Sequence, residues 1–313
     1  MKHLVRLTDW SRDDVNAVFK LADAYGKGKG PRTDGVAALF MPSTSLRTRL
    51  TFERGADLMG LQAILFPPET LDKPESAADV AGYLANWADV LVIRHPDIGK
   101  LETLVATRRV PVVNAMTSIN HPCEVLSDAY ALKRTRPDLR RLKFLFVGAD
   151  GNIVRAWQEL ATVLDLKLTQ CCPADLAVPG LEWTDDLEAA IKQADVVLTD
   201  SVGPHRRALA PYRITRKLLE RAKPGVLFNP CPPFTRGNEL SADAVASSWP
   251  FVGYGFKASL LPVQQAVMVL HGAQLTIFIC ALCSAPHAIS AMNSLVAAIS
   301  AMSFAVFRRT ILH

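Results

Sequence analysis

The segment Ser43–Arg49, which reads Ser-Thr-Ser-Leu-Arg-Thr-Arg, contains the residues best suited to chemistry in this chain. It follows an apolar run and precedes apolar residues at helical spacing, so we expect it to open a helix. Ser45 and Thr48 supply hydroxyls, Arg47 supplies a planar guanidinium, and the helix start supplies free backbone N–H groups. Together these groups suit a phosphate. The alternative interpretation is an ordinary Ser/Thr helix cap with surface arginines.

Two further residues occur where other apolar runs end. Arg94 closes the run Val90–Arg94, where it either meets water or points into a site. His121 opens the segment His-Pro-Cys-Glu at the start of a predicted helix. An imidazole there can donate a hydrogen bond to a carbonyl oxygen and stabilise developing negative charge, although a lone histidine is more often structural. The three features together are more specific than any one of them.

Short β-branched runs alternate with helical stretches, and this pattern must position those residues. The predicted strands are Val36–Phe40, Val90–Arg94, Val110–Asn114, Lys143–Val147, Lys167–Cys171, Asp195–Thr199 and Gly225–Asn229. The alternation predicts an α/β fold of two domains, each a parallel sheet flanked by helices. Ligands bind at the carboxyl ends of strands in such sheets, so we expect one composite site between the domains.

We place the domains at residues 1–135 and 136–274, with a C-terminal helix that returns to the first domain, and an apolar tail at 275–313. Residues 258–307 contain no Asp, Glu, Lys or Arg, and a span of this length could cross a bilayer. Pro286, His287 and Asn293 dilute its hydrophobicity. We therefore favour a buried or partner-packed helix pair over a membrane anchor or a non-native tail.

Composition excludes several classes of protein. The 313 residues are 50% hydrophobic and 21% charged, with a net charge of +5, which is typical of a globular protein of about two domains. Basic residues form no cluster interleaved with aromatics, so nucleic acid is not an expected partner. The N-terminus has no apolar core of signal-peptide length, and the six cysteines lack zinc spacing. We expect a cytoplasmic protein with reduced thiols and no metal.

The three motifs resemble those of the aspartate/ornithine carbamoyltransferase family, which has Ser-Thr-Arg-Thr-Arg, a strand-end Arg and His-Pro-x-Gln. The similarity runs from about Leu4 to about Leu270. It implies an N-terminal carbamoyl-phosphate domain, a C-terminal amino-acid domain, and a homotrimer with sites between subunits. The implied reaction is attack of a neutral amine on the carbamoyl carbon, which needs positioning and oxyanion stabilisation but no cofactor.

The resemblance also implies roles for individual residues. The donor site would comprise Ser45, Leu46, Arg47, Thr48, Arg94, His121 and Glu124. Within it, Arg94, His121 and Arg47 would be catalytic. Lys73 and Ser76 resemble a mobile loop that reaches a neighbouring subunit's site, so they are candidates for contacts in trans.

The sequence departs from the family mainly on the acceptor side. Glu124 stands where Gln is usual, and a carboxylate beside an incoming phosphate is unfavourable unless it is protonated or paired with an arginine. Glu124 could also contact a cationic acceptor. Asp200 matches the ornithine branch's acidic residue, but the Ser-Met-Gly that should follow it is absent. The candidate acceptor site comprises Asn152, Ile153, Asp200, Pro230, Cys231 and Leu260.

We therefore predict a carbamoyltransferase with a non-standard amino-acid acceptor, such as a diaminopropionate-like compound. Asp200 would bind the ammonium group, and Arg155, Arg206 or Arg236 the carboxylate. Ornithine is the alternative acceptor, and a non-catalytic anion-binding member is an alternative of another class. A nucleotide-binding oxidoreductase would rest only on Gly148-x-x-Gly151, which is not a Gly-x-Gly-x-x-Gly fingerprint.

Overall fold

The computed structural model describes residues 1–246 and 253–272. Residues Met1–Gly272 form one compact unit that contains two parallel sheets. The predicted tail at 275–313 lies outside the described residues. Within the described residues, no helix combines the length and the hydrophobicity needed to cross a bilayer.

The first sheet contains four strands in the order β2-β1-β3-β4, all parallel. Their bounds are β1 Gly35–Phe40, β2 Leu61–Phe66, β3 Val90–Arg94 and β4 Val112–Met116. The run Val90–Ile93 is almost fully buried, which explains why it is continuously apolar rather than alternating. Arg94, the residue that ends β3, is the first of that strand to be partly exposed.

Five helices accompany the first sheet. They are α1 Arg12–Gly26, α2 Leu46–Met59, α3 Ala77–Leu84, α4 Ile98–Ala106 and α5 Pro122–Thr135. Gly60 ends α2 in a left-handed conformation with φ of 97°, where a Cβ would lie 2.9 Å from the Thr33 carbonyl oxygen. A glycine is therefore required for the tight turn from α2 into β2.

The second sheet contains five parallel strands in the order β7-β6-β5-β8-β9. These are β5 Lys143–Val147, β6 Lys167–Cys171, β7 Glu182–Thr184, β8 Val196–Thr199 and β9 Leu227–Pro230. The accompanying helices are α6 Asn152–Leu164, α7 Leu187–Gln193, α8 Arg216–Leu219 and α9 Ala242–Ala246. One face of this sheet packs a core that includes Leu145, Val197 and Phe228.

The last described elements are α10 Gly253–Phe256, a 3-10 turn at Lys257–Ser259 and α11 Leu260–Gly272. Helix α11 packs against α1, α2 and α5, so the chain returns to the first sheet after completing the second. Polar contacts also join the two halves. Glu159 on α6 accepts hydrogen bonds from the Leu7 backbone N–H at 2.7 Å and from Asn120 Nδ2 at 2.9 Å.

The predicted fold class is confirmed, but two strands were missed and some strand bounds differ, such as those of β4, which runs from Val112 to Met116 rather than from Val110 to Asn114. Neither β2 nor β7 was predicted. The apolar residues of β2 follow α2 after a single glycine and look like a continuation of that helix, while β7 is an edge strand of three residues. Strand β9 begins at Leu227 rather than at the predicted Gly225, because Gly225 has a φ of 77° and belongs to the preceding turn. The domain boundary near residue 135 stays a prediction.

Candidate active site

A cavity of about 280 Å³ lies where the carboxyl ends of both sheets meet. Residues that follow β1, β3 and β4 line one side, and residues that follow β5, β8 and β9 line the other. Its walls are Thr44, Ser45, Leu46, Arg47, Thr48, Arg94, Met116, His121, Glu124, Asn152, Ile153, Asp200, Cys231, Pro232 and Pro233. The fold therefore brings all seven predicted donor residues into one cavity.

Arg94 connects the end of β3 to the start of α2. Its Nη1 donates to Ser45 Oγ and to Thr48 Oγ1, both at 3.2 Å. Ser45 is the N-cap residue of α2, and both hydroxyl side chains are buried. The guanidinium is thus held in place by protein contacts before any ligand binds.

The first turn of α2 adds a second cation to this side of the cavity. Arg47 lines the cavity and is exposed, so its guanidinium can meet an entering anion. The Ser45 side chain makes no capping hydrogen bond to its own helix, which leaves backbone N–H groups of the first turn available. Leu46 also lines the cavity, but its side chain is 73% exposed and mainly faces outward. Two guanidinium groups and a helix N-terminus make a strongly anion-binding surface.

His121 is the N-cap residue of α5 and is buried beside the two arginines. The pKa of His121 is lowered to about 4, mainly because the side chain is buried. The positive charges of Arg94 and Lys257 also lower this pKa, whereas the negative charge of Glu124 raises it. The imidazole is therefore neutral at physiological pH. Its Nδ1 has no hydrogen-bond partner in the described part of the chain.

Glu124, one turn further along α5, is paired with a lysine and not with an arginine. Lys257 Nζ lies 2.6 Å from Glu124 Oε1 and 2.6 Å from Asp128 Oδ1. Asn229 Nδ2 donates to the other oxygen of Asp128 at 2.8 Å. Burial alone would raise the pKa of Glu124, but the positive charge and the hydrogen bond of Lys257 outweigh burial and hold that pKa below its usual value. The carboxylate is therefore ionised although it lies inside a phosphate-type cavity.

Asp128 is the less acidic member of this cluster. Burial and the nearby negative charge of Glu124 raise its pKa to about 6, against the opposing effects of Lys257 and Asn229. The two buried carboxylates in turn raise the pKa of Lys257, which burial alone would lower. One lysine thus compensates two buried acids, and Asn229 holds the second of them.

The acceptor side of the cavity contains one acidic side chain, Asp200. Burial raises its pKa to about 6, partly offset by a hydrogen bond from the Ser201 backbone. Asn152 and Ile153, the first two residues of α6, lie opposite, and Asn152 Nδ2 donates to the Thr117 carbonyl oxygen at 2.9 Å. Cys231 completes this wall, and burial raises the pKa of its thiol well above the usual value.

Two predicted acceptor residues do not line the cavity. Pro230 belongs to β9, where it pairs with Thr199, and is buried in the sheet. Leu260 is the first residue of α11 and is buried against protein. Lys257, one turn before it, instead contacts the cavity residue Glu124.

The predicted in-trans residues Lys73 and Ser76 also lie outside this chain's own cavity. Both belong to an exposed segment before α3, and Ser76 caps that helix by accepting from the Asp79 backbone N–H at 3.1 Å. The arginines proposed for a carboxylate, Arg155, Arg206 and Arg236, are likewise absent from the cavity walls. Asp150 binds Arg155 through two hydrogen bonds of 2.6 and 2.7 Å.

Sequence reasoning missed Lys257 and Asp128. One signal was available for Lys257, because it is the last charged residue before the uncharged stretch 258–307. A cation at the end of such a stretch could have been suspected of pairing with Glu124. In the described residues, no cluster of His, Cys, Asp or Glu could hold a metal ion.

Comparison with protein families places this fold and site among the carbamoyltransferases. Residues 2–134 match the aspartate/ornithine carbamoyltransferase carbamoyl-P binding domain, and residues 140–270 match the Asp/Orn binding domain of the same enzymes. The chain belongs to the aspartate/ornithine carbamoyltransferase family and is a carbamoyltransferase.

Several relatives share most of its length. The ornithine carbamoyltransferase of Chlorobaculum tepidum is 32% identical over 256 residues, which are 74% of this chain and 75% of that protein. The enzyme of the same name from Chromobacterium violaceum is 29% identical over 272 residues, covering 78% and 89%. The crystal structure of ornithine carbamoyltransferase from Burkholderia thailandensis superposes with a TM-score of 0.79 at 26% identity, covering 87% of this chain and 99% of that one.

Proposed function

We propose that this enzyme transfers the carbamoyl group of carbamoyl phosphate to the amine of a small amino-acid-like acceptor and releases phosphate. The observation that carries the proposal is the polarity of the cavity. Arg47, Arg94 and the start of α2 make one end cationic, while Asp200 makes the other end acidic. A phosphorylated donor and an ammonium-bearing acceptor would therefore be drawn to opposite ends of the same cavity.

In the proposed mechanism, Arg47, Arg94, Ser45 and Thr48 bind the phosphate of the donor. Neutral His121 donates a hydrogen bond to the carbamoyl oxygen, where negative charge develops as the amine attacks. The new C–N bond forms, the C–O bond to phosphate breaks, and phosphate departs with the bonding electrons. The departing phosphate takes up the proton that the nitrogen loses. Most of the acceleration comes from positioning and from the fixed positive charges.

For the acceptor, we propose a non-standard amino acid with an ammonium group that contacts Asp200. Pro232, Pro233, Cys231 and Ile153 make the rest of this end largely apolar. No arginine from the acceptor half of the described chain lines it, so a bound carboxylate would depend on backbone groups or on Asn152. Ornithine is the alternative acceptor, and the names of the relatives favour it.

We further propose that the enzyme works in the cytoplasm as a homotrimer, with Lys73 and Ser76 completing a neighbour's site. Large apolar side chains are exposed before and after this segment in the sequence: Leu46 and Leu50 on α2, Tyr83 on α3 and Trp87 in the turn that follows α3. Large apolar side chains that remain exposed in one chain can be covered by a neighbouring subunit. The four described cysteines are free and buried, as expected in a reducing compartment.

The proposed function is tested by incubating the enzyme with carbamoyl phosphate and a panel of amines, and by measuring ureido product and released phosphate. The panel contains ornithine, lysine, putrescine, aspartate, diaminopropionate and diaminobutyrate. Arg47→Ala should abolish product, while Arg54→Ala is the matched control because Arg54 lies on the exposed face of the same helix, paired with Asp57. Absence of both product and carbamoyl-phosphate binding would instead support a non-catalytic role.

A further inference from the structure

Lys257, which is buried behind the cavity residue Glu124, has no role in the proposed mechanism. Lys257 comes from the turn before α11, yet its Nζ reaches Glu124, 133 residues earlier in the sequence. Its side chain is 14% exposed, compared with 9% for Glu124 and 1% for Asp128. A buried charge cluster of this kind costs desolvation free energy, and replacement by apolar residues is often neutral or stabilising. Stability alone therefore does not explain its presence beside the substrate cavity.

The two oxygens of Glu124 have different surroundings. Oε1 accepts a hydrogen bond from Lys257, so it is occupied. Oε2 lies 3.8 Å from His121 Nε2, which is too far for a hydrogen bond, and no other partner for it is found among residues 1–246 and 253–272. Because Glu124 lines the cavity, Oε2 is the atom that a ligand can meet.

His121 caps α5 and Glu124 lies in its first turn, with His121 Nε2 and Glu124 Oε2 3.8 Å apart, so both side chains face the same part of the cavity. A planar carbamoyl group presents an accepting oxygen and a donating NH2 side by side. If the imidazole donates to the oxygen, the neighbouring group must accept from the NH2. An ionised carboxylate can only accept hydrogen bonds, which makes Glu124 suitable for this position.

We propose that Lys257 is a positioning residue that holds Glu124 ionised and turned so that Oε2 accepts a hydrogen bond from the NH2 of carbamoyl phosphate. This inference rests on the proposed donor. A chain of contacts fixes the lysine itself: Asp128 binds its ammonium, and Asn229 binds Asp128. The pairing with Lys257 also explains how an ionised carboxylate is tolerated in a cavity proposed to bind phosphate.

The inference predicts a specific pattern of donor binding, which needs no acceptor to measure. Acetyl phosphate carries CH3 where carbamoyl phosphate carries NH2, so calorimetric titration with both ligands reports the NH2 contact. Wild-type protein should bind carbamoyl phosphate on the order of 10-fold more tightly or better, since the acceptor is charged. In Glu124→Gln, Lys257 takes the only accepting oxygen of the amide, so the amide NH2 faces the donor's NH2. Glu124→Gln should therefore bind carbamoyl phosphate and acetyl phosphate with about equal affinity.

Rescue by a second substitution separates positioning from a structural role. In the double variant Glu124→Gln/Lys257→Met, the amide is free to turn its oxygen to the cavity. This variant should again bind carbamoyl phosphate at least about fivefold more tightly than acetyl phosphate. If this protein is poorly folded by circular dichroism, adding Asp128→Asn removes the remaining buried charge and gives the same test. Lys223→Met is the control, because Lys223 forms a similar ion pair outside the cavity, with its Nζ 2.8 Å from Asp195 Oδ1. This variant should prefer carbamoyl phosphate over acetyl phosphate as strongly as wild-type protein does.

The outcomes distinguish the two proposals. A wild-type preference that persists in Glu124→Gln, or a double variant no better than the single one, overturns the role of Lys257 and leaves the proposed function standing. Wild-type protein that binds neither ligand overturns the proposed function and this inference with it.

Discussion

Arg94 Nη1 donates a hydrogen bond to Thr48 Oγ1 at 3.2 Å, across 46 residues of sequence and between two different elements. The contact fixes the guanidinium at the carboxyl end of β3, and among the described residues its other N–H groups have no partner, so they can face the cavity. A group held this way loses little conformational freedom when the ligand binds, which is the physical basis of a preorganised anion site.

Arg94→Lys should therefore weaken catalysis strongly although it keeps the positive charge. An ammonium cannot reproduce a fork of donors that holds two hydroxyls and a phosphate together, so we expect kcat/KM to fall by about 10²–10³-fold. Steady-state kinetics at saturating acceptor would measure the change. Arg109→Lys, at an exposed arginine before β4, is the control. A fall of less than about threefold in Arg94→Lys would contradict the assigned role.

Asp200→Asn should stabilise the fold while impairing acceptor binding. Burial raises the folded-state pKa of Asp200 from 3.8 to about 6, so folding is penalised when the carboxylate is ionised. The penalty is absent below about pH 4, grows as pH rises, and is complete above about pH 7. We expect the variant to gain roughly 1–2 kcal/mol of unfolding free energy at pH 8, allowing for the partly exposed carboxylate, and little at pH 4.

Urea denaturation of both proteins at pH 8 and pH 4 would check this sign, with the exposed Asp34→Asn as control. The KM for the acceptor should rise in parallel in Asp200→Asn. A stability gain that is the same at both pH values would mean that ionisation of Asp200 is not its origin.

Mixing two inactive variants should restore activity if subunits share sites. Arg94→Ala lacks a residue of the cavity itself, while Lys73→Ala lacks the residue proposed to enter from a neighbour. Random trimers contain complete sites wherever one chain supplies Arg94 and its neighbour supplies Lys73. Equal mixtures refolded together should thus recover about a quarter of wild-type activity. Mixtures of Arg94→Ala with Ser45→Ala are the control, because both residues belong to the same cavity wall, and they should recover none.

Cys231 should be inert to alkylation although it lines the cavity. Burial raises its thiol pKa well above the usual value, so almost no thiolate is present at pH 8. Iodoacetamide treatment of native enzyme should leave the Cys231 peptide unmodified by mass spectrometry, whereas protein unfolded in urea should be labelled. Rapid labelling in the native state would show that the thiol is activated and would call for a chemical role.

The donor half of the site was predictable because its determinants are local. Ser45, Arg47 and Thr48 fall within one helical turn after an apolar strand, and Arg94 ends another such strand. Parallel sheets bring their strand ends to one edge, so the motifs had to converge once the sheet formed. The edge strands β2 and β7 were missed for a related reason, since their short or partly exposed sequences carry little periodic signal.

By itself, then, the sequence determined the α/β fold, the family and the anion-binding end of the cavity, because strand patterning and helix-start chemistry are encoded over a few neighbouring residues. Only the tertiary structure decided which cation compensates the charge of Glu124 and which acceptor-side residues reach the cavity. Lys257 meets Glu124 because the chain returns across the first half after β9, which also places Leu260 in a helix contact rather than in the site. Charge pairing across 133 residues depends on that return path, and no local pattern encodes it.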